Sequence, residues 1–247
     1  MQKKISVITV VFNGEKYIED TIKSVIFQKT DEIEYIIIDG NSKDGTLNII
    51  KKYEKDIDVW ISENDNGIYD AMNKGWKLAT GEYIAYLNSD DFYLEGMLES
   101  VLSGIKEAPD MVVANTIMQD EAGNRQEFRR LESKNEYKLH LRLPFMHPSV
   151  FVKRDIIADL NGFTLKYKIA ADCELLLKIM KQQPEITYVD SEVVMRLGGI
   201  SDTNYKSGRS EYRKIYDKIF QNKKLAWAGY SESIFLFYAG KFMKVFK

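Results

Sequence analysis

The chain repeats one pattern: a short β-branched or apolar run, a polar turn, then residues recurring at helical spacing. Ile5–Phe12 is apolar and β-branched, Asn13-Gly14 turns it, and Ile18, Ile22, Val25 and Ile26 follow three or four apart. Glu34–Asp39, Val59–Ile61, Tyr83–Leu87 and Asp110–Asn115 are further strand-like runs. Helical patterns separate them: one through Leu47, Ile49 and Ile50 with Ser42 or Asp44 as cap, one over Ile68–Leu78 closed at Thr80-Gly81, and one over Leu94–Ile105. Strands that are apolar throughout, alternating with helices, predict an α/β fold with a mainly parallel sheet covered on both faces.

In such sheets ligands bind beyond the carboxyl ends of the strands. The residues ending these runs are polar: Asn13, Asp39, Glu63–Asp65 and Asn88–Asp91. They are expected to share one edge. The second half is less regular. It predicts a hairpin turning at Glu121–Asn124, a helix opening at Asp172, a strand over Ile186–Arg196, a helix over Ser207–Phe220 and a basic, aromatic tail.

The 247 residues suffice for one substantial core, and a single cysteine, Cys173, rules out an internal disulfide framework. Net charge is −2, which argues against a nucleic-acid partner. Residues 206–247, however, carry ten Lys and Arg against three Asp and Glu. No run approaches the ~20 apolar residues of a membrane span, and the expectation is a cytoplasmic protein.

Familiar nucleotide and hydrolase signatures fail. Gly40–Gly45 has the glycine spacing of a phosphate-binding loop, but Thr46 stands where its lysine belongs. No Gly-x-Gly-x-x-Gly follows the first strand, and His-Glu-x-x-His, Gly-x-Ser-x-Gly and Cys-x-x-Cys are absent. Oxygen chemistry remains. Asp90 and Asp91, with Asn88, are hard donors suited to Mg²⁺ or Mn²⁺, or else they cap the following helix.

Five ordered blocks, TVVFN (Thr9–Asn13), IIIDGNSKDGT (Ile36–Thr46), ENDNGIYDAMNKG (Glu63–Gly75), LNSDD (Leu87–Asp91) and AADCELLL (Ala171–Leu177), resemble the family 2 glycosyltransferases of GT-A fold. The resemblance covers roughly residues 4–205. It implies a catalytic domain over 1–205, with a nucleotide-sugar half at 1–115 and an acceptor half at 116–205, followed by a helical tail over 206–247. It also implies an inverting, metal-dependent transferase that moves one sugar from a nucleoside diphosphate sugar, UDP-linked by preference. The acceptor would be a saccharide or a lipid-linked glycan of a cell-surface polysaccharide.

Residue by residue, the resemblance assigns Asp39 to the imide of a uracil-like base. Thr9, Val11, Asn13 and Asn41 would belong to the same nucleotide-sugar pocket, with Asp44 near the ribose. Asp70, Asn73 and Lys74 would share a helix face toward ribose, sugar or phosphate. Asp90 would hold Mn²⁺ or Mg²⁺ under the diphosphate, Asn88, Ser89 and Asp91 beside it would bind the nucleotide sugar, and Arg196 would reach the diphosphate from a loop. Asp172 would be the base that deprotonates the acceptor hydroxyl, although Ala171 replaces the family's usual Glu. His147 ranks only as an acceptor-side or structural residue. Two other classes are a sugar nucleotidyltransferase, which wants a basic Gly-rich N-terminal loop, and a non-catalytic scaffold, favoured by Ala171 and Asn88.

In the tail, Leu225, Trp227, Tyr230, Ile234, Phe235, Phe237, Tyr238, Phe242, Met243 and Phe246 are interleaved with Lys241, Lys244 and Lys247. That composition suits peripheral attachment to an anionic leaflet at the inner face of the cell membrane. Packing on the core or on another subunit, as a homo-oligomer, is the alternative.

Overall fold

The computed structural model describes residues 3–134 and 137–245. The chain runs β1 (Ile5–Val11), α1 (Ile18–Ile26), β2 (Ile33–Asp39), α2 (Thr46–Lys52), β3 (Val59–Ser62), α3 (Ile68–Leu78) and β4 (Tyr83–Tyr86). There follow β5 (Phe92–Tyr93), α4 (Met97–Gly104), β6 (Met111–Gln119), β7 (Arg125–Phe128), β8 (Val150–Lys153), α5 (Arg154–Asp159) and α6 (Ala171–Lys181). The chain then continues through β9 (Ile186–Arg196), α7 (Ile200–Thr203), α8 (Tyr205–Phe220) and α9 (Lys223–Val245). All strands join one sheet in the order β3-β2-β1-β4-β8-β6-β9-β5, with β7 on β6.

Both faces of β1 are covered, which is why its seven residues are all buried and do not alternate with polar ones. Ile5, Val7 and Val11 enter one core with Ile18, Ile22 and Val25 of α1. Ile8 and Val10 enter the other with Ala71 and Met72 of α3. The registers β1–β2, β1–β4 and β2–β3 are parallel, and they align Val11 with Asp39 and Asp39 with Ser62. The expected shared edge therefore exists.

Two local expectations differ from the structure. Gly81 does not cap α3, which ends at Ala79 in extended backbone (φ −65°, ψ 135°). It is needed because a Cβ there would lie 2.6 Å from the Ser6 backbone nitrogen. The helix expected from Leu94 starts at Met97, because Phe92–Tyr93 pairs with Val193 and Val194 of β9. The strand at 111 is no direct neighbour of β4: β8 lies antiparallel between them. The result is a four-strand parallel half joined to a mixed half.

Below the functional edge, buried Glu34 accepts hydrogen bonds from Ser6 Oγ, Thr80 N and Thr80 Oγ1. These tie the α3–β4 turn to β1 and β2. Helix α8 is no separate appendage, since its Tyr212, Ile215 and Ile219 lie in the same core as α3 and α6.

Candidate active site

The end of β2 carries Asp39, which is fully buried. Its Oδ2 accepts from Ser42 N at 3.0 Å and from Ser62 Oγ at 2.6 Å. Among the described residues its Oδ1 is buried with no hydrogen-bond partner. A buried acceptor without a donor costs about 1–3 kcal/mol, so Asp39 is held fixed with one oxygen awaiting a donor. Phe12, 65% exposed, stands beside it at the end of β1 and packs near Gly40. From the sequence, Ser42 is expected only as a helix cap and Phe12 only as part of the Thr9–Asn13 block, and Ser62 has no expected role.

Asn13 (φ 52°) and Asn41 (φ 64°) occupy the left-handed region that asparagine tolerates. Asn13 N donates to Ser42 Oγ and its Oδ1 accepts from Lys43 N, while Asn41 Nδ2 donates to Asn64 Oδ1. Asp44 accepts from Glu15 N, Thr46 N and Thr46 Oγ1, so it organises the loop before α2. Thr9 is wholly buried against the Tyr35 hydroxyl, and Val11 lies in the α1 core.

On α3 the three expected residues serve three elements. Asp70 accepts from Asn66 N and fixes the turn before the helix. Lys74 pairs with Glu63 at 2.7 Å and Asp65 at 2.6 Å and donates to the Asn64 carbonyl, pinning the loop after β3. Asn73 is committed inside the fold: it donates to Phe163 O and accepts from Phe163 N and Trp76 Nε1.

The turn after β4 rises beside the end of β1, with Leu87 N donating to Ile8 O. A Cβ on Gly14 would meet Ser89 Oγ at 3.3 Å. Asp91 is buried: its Oδ1 accepts from Arg196 N and its Oδ2 from Asn88 Nδ2. Burial pushes its carboxyl well above the usual range, and the neighbouring Asp90 charge pushes the same way. A carboxylate at position 88 would repel Asp91 where the amide bonds it. Arg196 clamps this turn, donating to Asp90 O at 2.7 Å and Asp20 Oδ2 at 2.8 Å between the rings of Tyr17 and Phe92.

Among the described residues the Asp90 carboxylate bonds no other side chain; burial raises its pKa and the Arg196 charge opposes that rise. An acid so placed fits a divalent cation. Among the described residues no group of three Asp, Glu, His or Cys could hold an ion alone. A cation on Asp90 would thus be shared with water and an anionic ligand, as Mg²⁺ usually is.

Asp172 stands in the first turn of α6. Tyr69 Oη lies 3.0 Å from its Oδ1, and His147 Nδ1 lies 3.9 Å from its Oδ2. The His147 ring sits against Tyr86 and Phe163, and burial lowers its pKa against the opposing Asp172 charge. Tyr86 ends β4, four residues before Asp90, so this cluster lies at the same edge as the acidic turn. The segment before Asp172 is pinned by Glu211 of α8, which accepts from the amides of Lys168, Ile169 and Ala170 at 3.0–3.1 Å.

The parallel half of the mixed sheet thus ends in these carboxylates. The model of glycosyl transferase family 2 matches residues 6–159, and the chain belongs to that family. It is 42% identical over 106 residues to TuaG of Bacillus subtilis (strain 168), named for teichuronic acid biosynthesis; this match spans 42% of each chain. It is 26% identical over 207 residues to a Mycobacterium tuberculosis (strain H37Rv) glycosyltransferase of PGL/p-HBAD biosynthesis, covering 80% of this chain and 79% of that one. Staphylococcus aureus TarS 1-349 in complex with UDP-GlcNAc superposes with a TM-score of 0.70 at 18% identity, over 93% of this chain and 71% of that one. The Pyrobaculum calidifontis mannosyltransferase PcManGT, in complex with GDP-Man and Mn²⁺, gives 0.67 at 16% identity, over 91% and 66%. At such identities the solved structures show the fold, which is the GT-A architecture expected from the sequence. Asp172 lies beyond the matched family segment.

Proposed function

We propose that the chain transfers one sugar from a UDP-sugar to an acceptor hydroxyl with inversion at the anomeric carbon. The observation that carries the donor is Asp39 Oδ1, buried and without a donor while Oδ2 is held by Ser42 and Ser62. One free acceptor matches the single imide N–H of uracil, which thymine shares. Guanine's paired N–H donors would want both oxygens. Phe12 offers a ring face beside that base.

The acceptor hydroxyl is a poor nucleophile at neutral pH, so a positioned carboxylate must take its proton. Asp172 does so as the new C–O bond forms and the nucleoside diphosphate leaves with the electron pair of the old one. Mn²⁺ or Mg²⁺ held on Asp90 would offset the charge developing on that leaving group. Asn88 and Arg196 keep the Asp90–Asp91 turn in place. A role in cell-surface polysaccharide synthesis, with a saccharide or lipid-linked acceptor, is consistent with the name of the Bacillus relative.

The outer face of α9 supports peripheral attachment to an anionic leaflet. Phe235 is 71% exposed and Leu236 59% exposed, while Lys206 lies over the Tyr238 ring and Arg213 over the Trp227 ring. No described helix is long and apolar enough to cross a membrane. Phe246 and Lys247 of the expected aromatic and basic set lie outside the described residues.

A thermal-shift screen of UDP-, dTDP- and GDP-sugars, with and without Mn²⁺, tests the donor, because a ligand of the native state raises its apparent stability. UDP-sugar should stabilise most. Asp39→Asn should abolish the shift, since Ser42 and Ser62 would hold the amide oxygen and turn Nδ2 toward the base. A larger shift with GDP-sugar overturns the donor reading. For α9, a Phe235→Ser/Leu236→Ser double variant should lose co-sedimentation with anionic vesicles, and pelleting equal to the parent chain overturns attachment.

A further inference from the structure

Tyr69 lies in the first turn of α3, some hundred residues before Asp172, yet its hydroxyl reaches the proposed base. Its ring is 7% exposed and stacks on Phe163 with centroids 5.7 Å apart, so it has little freedom to swing away. The hydroxyl faces two oxygens, Ile169 O at 2.6 Å and Asp172 Oδ1 at 3.0 Å. The carbonyl is held in turn, because Glu211 accepts from the amides of Lys168, Ile169 and Ala170.

We propose that Tyr69 is a positioning residue for Asp172, orienting the carboxylate so that Oδ2 is the oxygen that takes the acceptor's proton. The inference rests on Asp172 being the base. A phenol has one proton, and neither neighbour is a donor while Asp172 is ionised. In that state the phenol bonds Oδ1, which leaves Oδ2 outside that bond; the Cys173 thiol also bonds this carboxylate. His147 Nδ1, at 3.9 Å, is beyond hydrogen-bond reach of it. Once the proton has moved from the acceptor hydroxyl to Oδ2, the carboxyl is neutral and the phenol proton turns to the Ile169 carbonyl. The hydroxyl therefore has a partner before and after the transfer, and no backbone must move between the two states. Preorganisation of this kind acts on the chemical step and not on donor binding.

The test is a kinetic cycle of Tyr69→Phe, Asp172→Asn and the double variant, with donor binding measured by calorimetry to count competent sites. Tyr69→Phe should lower kcat by about 10-fold or more, with donor KM and binding stoichiometry unchanged. In the Asp172→Asn background the same substitution should cost nothing further, because its effect runs through the missing carboxylate. Equal losses in both backgrounds, or a Tyr69→Phe enzyme with parental kcat, would overturn the inference. An Asp172→Asn enzyme with parental kcat would instead overturn the base assignment beneath it.

Discussion

Glu211 offers the sharpest test of how the C-terminal helices serve the site. Its carboxylate accepts three consecutive amides, those of Lys168, Ile169 and Ala170. The Lys168 bond is exposed and the other two are partly buried, so roughly two bonds count in full. Hydrogen bonds to a charged group contribute about 1.5–3 kcal/mol each when well shielded. Taking the low end for partial exposure, Glu211→Ala should destabilise by about 3 kcal/mol. At about 2–4 °C per kcal/mol for a domain of this size, the melting temperature should fall by about 6–12 °C. Glu211→Gln, which keeps one oxygen, should fall about half as far. Differential scanning calorimetry reads both. Below the new melting temperature, Glu211→Ala should also lose kcat while keeping donor affinity, because the loosened loop leads directly into Asp172. A Glu211→Ala protein melting within about 2 °C of the parent would refute the reasoning, since the three amides would then be satisfied equally well by water.

Two further predictions concern stability. Gly81→Ala should cost about 3 kcal/mol, because the new Cβ meets β1 backbone at 2.6 Å, and Gly75→Ala about as much, because it meets the Cγ2 branch of buried Ile8 at 2.5 Å and a β-branched side chain is stiff at χ1; chemical denaturation measures both, and a cost under about 1 kcal/mol at either site would contradict the geometry. His147 has its pKa lowered from 6.5 by burial, so the unfolded chain binds a proton that the folded chain excludes. Its contribution is present above about pH 6.5 and is lost as pH falls below it, so the drop in urea midpoint between about pH 7.5 and 5.5 should be smaller in His147→Gln than in the parent.

The half of the sheet from β1 to β4 was legible because its central strands are buried on both faces, so they read as mostly apolar, β-branched runs with polar ends. The acidic turn at Asn88–Asp91 was legible for the same reason. The place of β8 was not: Val150–Lys153 is a short apolar run, and nothing in four residues states strand direction or neighbour. Nor could spacing show that Asn73, correctly read as helical, is bonded to the backbone of Phe163. Glu211 was invisible because its partners are amides, which every residue possesses. The tie between Tyr69 and Asp172 spans about a hundred positions, and only the folded sheet brings them together.

Strand β8, antiparallel to both of its neighbours, also has a bearing on how this chain comes into being. Strands β1 to β4 pair among themselves, so they can assemble as soon as residue 86 has left the ribosome. The flank of β4, Tyr83–Tyr86, then stays open until Val150–Lys153 is synthesised and docks against it. During that interval an apolar, unpaired strand is a template for any neighbouring chain. A fragment cut between these points would keep that flank open and should aggregate, so β1 to β4 are not expected to form a soluble module without residues 150–153.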